Sequence, residues 1–308
     1  MKGPLFYAKI LLFGEYGIIK DSKGLAIPYN SYKGALRKSE DLTAEQKDSN
    51  HKLRLFYEYL IGIDTKMVRF RLDEFATDLS EGMYFDSSIP QGYGVGSSGA
   101  LVAAVYDKYA EDKITILENL TRDKLLNLKE MFGLMESFFH GTSSGLDPLN
   151  SYLSLPILIN SKTDLEATGI PSQKEGNGAV FLMDSEQVGE TSSMVEIFME
   201  KMKNEGFRKM LSDEFATYSD ACIHDFLKGD IHSLFTNVKQ LSHVVLGNFK
   251  PMIPEKFHAM WQKGLDSGDY YLKLCGSGGG GYFLGFTENY PKTKELLKEY
   301  KLELVYRF

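Results

Sequence analysis

The sequence is poor in the residues and segments that characterise secreted, membrane-spanning and metal-binding proteins. Of 308 residues only two are cysteines, Cys222 and Cys275, which are far apart and lack the spacing of metal ligands. We therefore expect free thiols in a reducing compartment. No apolar run approaches the roughly 20 residues of a membrane span, and the run from Ile10 to Phe13 is too short for a signal peptide. These absences predict a cytoplasmic protein with no membrane partner.

An excess of basic residues is also lacking, since 35 Lys and Arg face 42 Asp and Glu, giving a net charge of −7. A broad nucleic-acid-binding face is therefore not expected, although a phosphorylated ligand needs only a local positive site. The six histidines show no metal-ligand spacing, so we expect no zinc. The hydrophobic content of 43% is ordinary for a globular protein, and the length allows two domains.

The phosphate-binding pattern G-x-x-x-x-G-K-[ST] is absent, but another glycine-rich loop is present. It comprises Pro90, Gly92, Gly94, Gly96, Ser97, Ser98 and Gly99. An Ala-rich apolar run follows, which predicts a buried helix over residues 99–110, with Ser97 or Ser98 at its N-cap. Backbone N–H groups at the start of a helix bind anions. The loop is therefore interpreted as a phosphate-binding loop.

Two other interpretations of this loop are compatible with the sequence. Gly94, Gly96 and Gly99 match the dinucleotide fingerprint, which should follow a strand, whereas here a turn-rich segment ending in Pro90 precedes it. The loop could also be a flexible connection before an ordinary helix.

Three charged residues are candidates for chemistry. Lys9 interrupts an apolar run over residues 5–19 that predicts a strand, a turn and a second strand, and it could equally be a solvated edge residue. Glu136 lies in a helical region predicted from Ile116 to His140, with Gly141 at its C-cap. Asp147 precedes Pro148, a pair that is typical of a helix N-cap and first turn, although a capping carboxylate can also be an active-site group.

The remaining elements predict an α+β protein. Strands are expected at 25–28, 67–75, 155–160, 179–184, 270–274 and 282–286, helices at 53–63, 194–228, 231–247 and 254–267, and a surface insertion at 38–52. Ser193 and Glu196 have the spacing of a capping box. Five glycines between Gly276 and Gly281 predict close approach of another backbone or a ligand. The polar segment 162–178 predicts a domain boundary, giving domains 1–177 and 178–308.

Four motifs in order resemble those of the galactokinase–homoserine kinase–mevalonate kinase–phosphomevalonate kinase (GHMP) superfamily, and within it mevalonate kinases most. They are Ala8 to Tyr16, Pro90 to Ala100, Glu136 together with Ser144 to Asp147, and Lys273 to Gly281. In the third motif, Glu136 and Asp147 are eleven positions apart. The chain departs from the superfamily pattern at Tyr7-Ala8, where Pro-Gly is usual, and at Tyr16, where histidine is usual. Ile18 stands where galactokinases carry an aspartate, which favours mevalonate kinases.

The resemblance implies a two-domain GHMP-kinase fold. An N-terminal domain of the ribosomal-protein-S5 domain 2 type would bind ATP, and a C-terminal ferredoxin-like α+β domain would close the site. ATP and Mg²⁺ are the implied cofactors, with Ser98 and Glu136 as Mg²⁺ ligands and the glycine-rich loop around the ATP phosphates. Asp147 would accept the proton of the substrate hydroxyl and Lys9 would stabilise the transferred phosphoryl group. The implied substrate-binding residues are Glu15, Tyr16, Thr191, Gly278 and Gly279.

The implied function is phosphorylation of a small-molecule hydroxyl, with conversion of mevalonate to 5-phosphomevalonate in isoprenoid biosynthesis as the leading candidate. Alternatives are another GHMP kinase acting on phosphomevalonate, homoserine or a sugar, a diphosphomevalonate decarboxylase, and a non-catalytic nucleotide-binding regulator. The expected partners are a small-molecule substrate and, in a homodimer, a second copy of the chain.

Overall fold

The structure, a computed structural model, describes residues 3–20, 22–63, 68–115 and 119–308, with the backbone alone at residues 19, 20, 191 and 192. The strands are β1 (Phe6–Phe13), β2 (Gly24–Lys38), β3 (Met83–Ser87), β4 (Ile157–Ser161), β5 (Asp164–Ala167), β6 (Ala179–Asp184), β7 (Tyr271–Leu274), β8 (Tyr282–Thr287) and β9 (Leu302–Arg307). The helices are α1 (Ala44–Gly62), α2 (Leu72–Ser80), α3 (Ser97–Tyr109), α4 (Arg122–His140), α5 (Leu146–Leu153), α6 (Thr191–Lys201), α7 (Glu205–Met210), α8 (Ala216–Lys228), α9 (Ile231–Asn248), α10 (His258–Ser267) and α11 (Tyr290–Leu296). Two antiparallel sheets with these helices confirm the α+β class. Among the described helices, none is long and apolar enough to cross a membrane.

The chain divides into two compact units, neither of which is continuous in sequence. Unit 1 contains Ile27–Pro90, Gly96–Leu155 and the described residues up to Lys9. Unit 2 contains Ile10–Ala26, Gln91–Val95 and Pro156–Phe308. The single boundary after residue 177 stays a prediction.

Unit 1 is built around α3, a helix that is buried on most of its surface. Its small residues Ala100, Ala103 and Ala104 are at most 1% exposed, which leaves room for neighbouring helices to approach closely. A Cβ atom at Gly99 would lie only 2.7 Å from the backbone of Asp147, so glycine allows α5 to pack directly on α3. Also within unit 1, β2 pairs with β3 from Gly34↔Ser87 to Lys38↔Met83.

Unit 2 is built around the antiparallel sheet β7-β8-β6-β9. Its central strand β8 is buried at every position, as expected of a strand with neighbours on both sides and helices over its face. The ring of Trp261 in α10 packs edge-on against Phe283 at 5.6 Å, which anchors this helix to the sheet. The first residues of β2 pair with β4, and β4 pairs with β5.

The predictions for long periodic segments are confirmed, including the helix after the glycine-rich loop and most of the C-terminal helices. The predicted strand 67–75 is wrong, since α2 begins at Leu72 and buries Phe75 and Leu79 at helical spacing; Met67 and residues 116–118 lie outside the described residues. The predicted surface insertion 38–52 is also wrong from Ala44 onward. Thr43 and Gln46 form a capping box there, and the polar residues of α1 up to Lys52 are exposed or half-buried except Asn50, which is buried.

Strand β2 does not stop at Pro28 as predicted. Pro28 lies between the residues of β2 that pair with β4 and those that pair with β3, so its missing N–H interrupts neither set of hydrogen bonds. The predicted capping box at Ser193 is wrong as well, because α6 begins at Thr191 and Ser193 donates a hydrogen bond to Glu190 at 2.8 Å.

Candidate active site

The second half of the glycine-rich loop opens helix α3 in unit 1. Gly96 is the N-cap residue in a left-handed conformation (φ 79°), with no side-chain hydrogen bond to the cap among the described residues. The prediction of a serine N-cap is therefore wrong, and Ser97 and Ser98 are the first two helical residues. A helix that begins without a side-chain acceptor leaves its first N–H groups to water or a ligand.

The first half of the loop is fixed within unit 2 by backbone contacts that only glycines allow. Gly189 donates its N–H to the carbonyl of Gly92 at 3.0 Å. A Cβ atom at Gly94 would overlap the carbonyl oxygen of Cys275, and one at Gly281 would lie 2.7 Å from the Cα atom of Tyr93. The backbone approach predicted for residues 276–281 is thus confirmed, and the partner is the loop segment 91–95. Pro90 is half-buried immediately before that segment.

Two glycines of the second loop contact a different part of unit 2. Gly279 donates its N–H to the carbonyl of Met252 at 2.7 Å, and a Cβ atom at that position would lie 2.8 Å from the sulfur of Met194. Gly278 has a φ of 79° and also lies against the Met252 carbonyl. Both glycines are therefore packed against the backbone at Met252.

In unit 1, Lys9 of β1 and Asp147 of α5 form an ion pair with an Nζ–Oδ1 distance of 2.8 Å. Lys9 is only 6% exposed, so the solvated-edge interpretation of this lysine is wrong. Asp147 is not the N-cap of α5, as the cap interpretation required, because that position is Gly145. A Cβ atom at Gly96 would lie 3.0 Å from Lys9 and 3.7 Å from Oδ2 of Asp147, so the ion pair adjoins the start of α3.

Ser98 and Glu136 also meet in unit 1, where the Ser98 hydroxyl donates to Oε1 of Glu136 at 2.9 Å. The other carboxylate oxygen accepts a hydrogen bond from the hydroxyl of Ser143. Glu136 is 3% exposed. Burial, followed by the negative charge of Asp147, raises the pKa of Glu136 to about 7, although both serine hydroxyls and Lys9 act in the opposite direction.

In unit 2, Glu15 forms an ion pair with Lys273 of β7, and both side chains are at most 5% exposed. Lys273 also donates to the carbonyl of Leu274 at 2.9 Å. A buried pair of this kind is tolerable because the ammonium hydrogens have several acceptors. The sequence motifs included both residues but gave no indication that they contact each other.

Tyr16 is buried next to this pair, in a left-handed backbone conformation (φ 58°). Its hydroxyl donates to the carbonyl of Ser277 at 2.6 Å, and its ring stacks on Phe198 at 4.6 Å. Burial, followed by the charge of Glu15, raises the pKa of this hydroxyl. A cavity of about 10 Å³ beside Glu15, Tyr16 and Lys273 has room for a single water molecule. The side chain of Thr191 lies outside the described part of the chain.

No family model matches the chain, and no curated protein does. Solved structures do match. The L. major mevalonate kinase in complex with R-mevalonate is 16% identical over 97% of this chain and 93% of that one, with a TM-score of 0.64. The Streptococcus pneumoniae phosphomevalonate kinase in complex with phosphomevalonate and AMPPNP is 14% identical over 98% and 99%, with a TM-score of 0.61. The Lactococcus lactis galactokinase complexed with galactose is 11% identical over 98% and 92%, with a TM-score of 0.59.

The chain has the fold of the GHMP kinases. The resemblance seen in the sequence motifs is therefore confirmed, with a mevalonate kinase among the matches. Mevalonate, phosphomevalonate and galactose are ligands of three different proteins with the GHMP-kinase fold, so the fold by itself does not select an acceptor.

The GHMP-kinase fold implies a magnesium ion with the nucleotide, and the residues of unit 1 fit this ion. Within the described residues, no three His, Cys, Asp or Glu side chains form a metal-binding group. Ser98 and Glu136 nevertheless provide two hard oxygen donors side by side. Mg²⁺ typically takes one or two protein oxygens and completes its shell with phosphate oxygens and water. A nearby cation would also favour ionised Glu136, which is disfavoured when buried without one.

The sequence analysis did not identify two residues of this site. His140 Nε2 lies 3.0 Å from the Ser98 hydroxyl, and Ser143 binds Glu136. His140 and Glu136 are four residues apart in α4, so the helical period already places them on one face. The contact of Ser143 depends on the turn between α4 and α5, which carries no such signal.

Proposed function

We propose that this protein is a Mg²⁺- and ATP-dependent kinase that transfers the γ-phosphoryl group of ATP to a hydroxyl group of a small molecule. The observation that supports this proposal most directly is the Lys9–Asp147 ion pair beside the uncapped start of α3. It combines a carboxylate, a buried cation and the start of a helix that has no side-chain cap among the described residues, which are the components that phosphoryl transfer requires.

Asp147 is proposed to accept the proton of the attacking hydroxyl. Its carboxylate is one-third exposed, so a substrate hydroxyl can reach it, whereas the Lys9 amino group beside it is buried. Lys9 would offset negative charge on the phosphoryl group as it is transferred.

The nucleotide phosphates are proposed to bind the N–H groups of the loop that contains Gly92, Gly94, Gly96, Ser97 and Gly99. Ser98 and Glu136 would hold the magnesium ion, which neutralises phosphate charge when bound. Glu136 keeps both oxygens oriented through its hydrogen bonds to Ser98 and Ser143, so little reorganisation is needed on binding.

Mevalonate is proposed as the acceptor, with 5-phosphomevalonate as the product. The combination of Glu136 with Asp147 and the apolar Ile18 supports it, as does the likeness to a mevalonate kinase structure that contains R-mevalonate. The acceptor-binding roles of Glu15, Tyr16, Thr191, Gly278 and Gly279 are part of this proposal. Because the Tyr16 hydroxyl already binds the Ser277 carbonyl, we propose that Tyr16 contacts the acceptor through its ring.

A substrate panel tests this proposal. ADP release is measured with Mg-ATP and mevalonate, phosphomevalonate, homoserine, galactose or diphosphomevalonate in turn. Turnover with mevalonate alone supports the full proposal, and turnover with another alcohol supports a kinase while contradicting the acceptor. Carbon dioxide release from diphosphomevalonate would indicate a decarboxylase, and nucleotide binding without turnover would indicate a regulator.

A further inference from the structure

The imidazole of His140 contacts the hydroxyl proposed to bind magnesium, although it is not part of the catalytic set. Its Nε2 atom lies 3.0 Å from the Ser98 Oγ atom, and Glu136 Oε1 lies 2.9 Å from the same atom. His140 is the exposed last residue of α4, whereas Glu136 one turn earlier is buried. The Ser98 hydroxyl is thus held between two side chains of one helix.

The single proton of the Ser98 hydroxyl determines the direction of these hydrogen bonds. A serine hydroxyl has one proton and two acceptor lone pairs. Because Ser98 donates its proton to Glu136, the contact with His140 requires that Nε2–H donates to Ser98. One lone pair of the Ser98 oxygen then remains for another ligand. Without His140 the hydroxyl would keep, among the described contacts, its hydrogen bond to Glu136 and could rotate more freely.

We propose that His140 is a positioning residue that fixes the orientation of the Ser98 hydroxyl for binding a divalent cation together with Glu136. This inference rests on the proposed function, because the cation concerned is the one that accompanies the nucleotide. Groups that orient metal ligands typically change metal affinity or activity by 10- to 100-fold when removed. We therefore expect the effect of His140 to appear in the magnesium dependence of nucleotide binding.

A purely structural role would have a different signature. A histidine at the C-terminal end of a helix stabilises that end through the helix dipole and the last carbonyl groups. Its loss would then lower the free energy of unfolding without changing how strongly magnesium enhances nucleotide binding. A direct contact of His140 with the phosphates would weaken nucleotide binding equally with and without magnesium.

The test measures ADP affinity by calorimetry, with excess Mg²⁺ and with EDTA, for the full chain. The variants are His140→Ala, His140→Gln, which retains an N–H donor, and His51→Ala, an exposed histidine on α1 in the same unit. We expect His140→Ala to reduce the magnesium-dependent gain in ADP affinity by roughly 10-fold. His140→Gln should recover most of the gain, and His51→Ala should match the unmodified chain.

The outcomes separate this inference from the proposed function. A normal magnesium-dependent gain in His140→Ala would overturn the positioning role alone. Equal weakening with Mg²⁺ and with EDTA would also overturn it, in favour of direct phosphate contact. If magnesium does not affect ADP affinity in the unmodified chain, the metal assignment in the proposed function is itself wrong.

Discussion

The amino group of Lys9 lies 2.8 Å from the Asp147 carboxylate, with the lysine side chain 7% exposed and the aspartate side chain 33% exposed. This difference in exposure leaves the Asp147 carboxylate accessible to a ligand, while water has little access to the Lys9 amino group. An ammonium group in so poorly hydrated a position interacts more strongly with neighbouring negative charge than a surface lysine does. The pair is therefore suited to a reaction that transfers a negatively charged group close to the Lys9 amino group.

Replacement of Asp147 by asparagine tests the proton-accepting role. Asparagine has nearly the same shape but cannot take the hydroxyl proton, so we expect turnover to fall by about 10²- to 10⁴-fold with ADP affinity unchanged. Steady-state ADP release and calorimetry measure the two quantities. Asp73→Asn, an exposed aspartate on α2 in unit 1, is the control. Near-normal turnover in Asp147→Asn would exclude Asp147 as the base.

The pKa of Glu136, raised to about 7 from 4.5, predicts a pH-dependent cost to stability. The folded state holds this proton more tightly than the unfolded state does. The free energy of unfolding therefore decreases, as far as this group is concerned, when the pH rises from about 4.5 to about 7, and the cost persists above that range. In EDTA, Glu136→Gln should be more stable than the unmodified chain by roughly 1–3 kcal/mol at pH 8 and equally stable at pH 4.

Urea unfolding at pH 4, 6 and 8 measures this difference. Glu130→Gln, an exposed glutamate on the same helix, is the matched control and should show no such trend. A stability difference between Glu136→Gln and the unmodified chain that does not change with pH would contradict the raised pKa.

Gly99→Ala tests the contact between α3 and α5. The new methyl group would lie 2.7 Å from backbone atoms of Asp147 and Pro148, which cannot move as a side chain can. We expect the free energy of unfolding to fall by about 1–3 kcal/mol and turnover to fall with it, because Asp147 is displaced. Gly62→Ala is the control, since no atom of the described residues lies within 4 Å of its added methyl group. Thermal unfolding measures the change in stability, and ADP release measures the change in turnover. A Gly99→Ala protein as stable and active as the control would contradict the close contact.

The buried Glu15–Lys273 pair predicts strong coupling between two residues that are distant in sequence. Lys273→Met removes the ammonium group that pairs with buried Glu15 and should cost about 3–5 kcal/mol of stability. Glu15→Gln with Lys273→Met should cost clearly less than the two single changes added together. Denaturant unfolding of the unmodified chain, the two single variants and the double variant measures these costs in a double-mutant cycle. Additive effects would show that the two groups do not interact.

Local patterns were enough to predict part of the site. The glycine-rich loop and α3 were evident because backbone freedom at Gly92, Gly94 and Gly96 is followed at once by a run with high helix propensity. The helix that carries Glu136 was evident from its apolar stripe. Even there, the serine cap was wrong, because a glycine in the left-handed conformation can begin a helix without a capping side chain.

Contacts between distant residues could not be predicted from the pattern of one segment. Glu15 and Lys273 are 258 positions apart, and their contact depends on how β7 is placed within unit 2. Strand β3 was missed because the five residues from Met83 to Ser87 are too short and too polar at one end to show a clear alternation. Tertiary packing determines both features.

The interleaved composition of the two units has a consequence for synthesis on the ribosome. All residues of unit 1 have been translated once Leu155 is added, whereas unit 2 needs residues from Ile10 to Phe308. At 5–20 residues per second, translation from Leu155 to Phe308 takes roughly 8–30 s, so residues 10–26 and 91–95 wait at least that long for unit 2 to be complete. Apolar residues such as Leu12 and Phe13, which are fully buried in the finished protein, are candidates for chaperone binding during that interval.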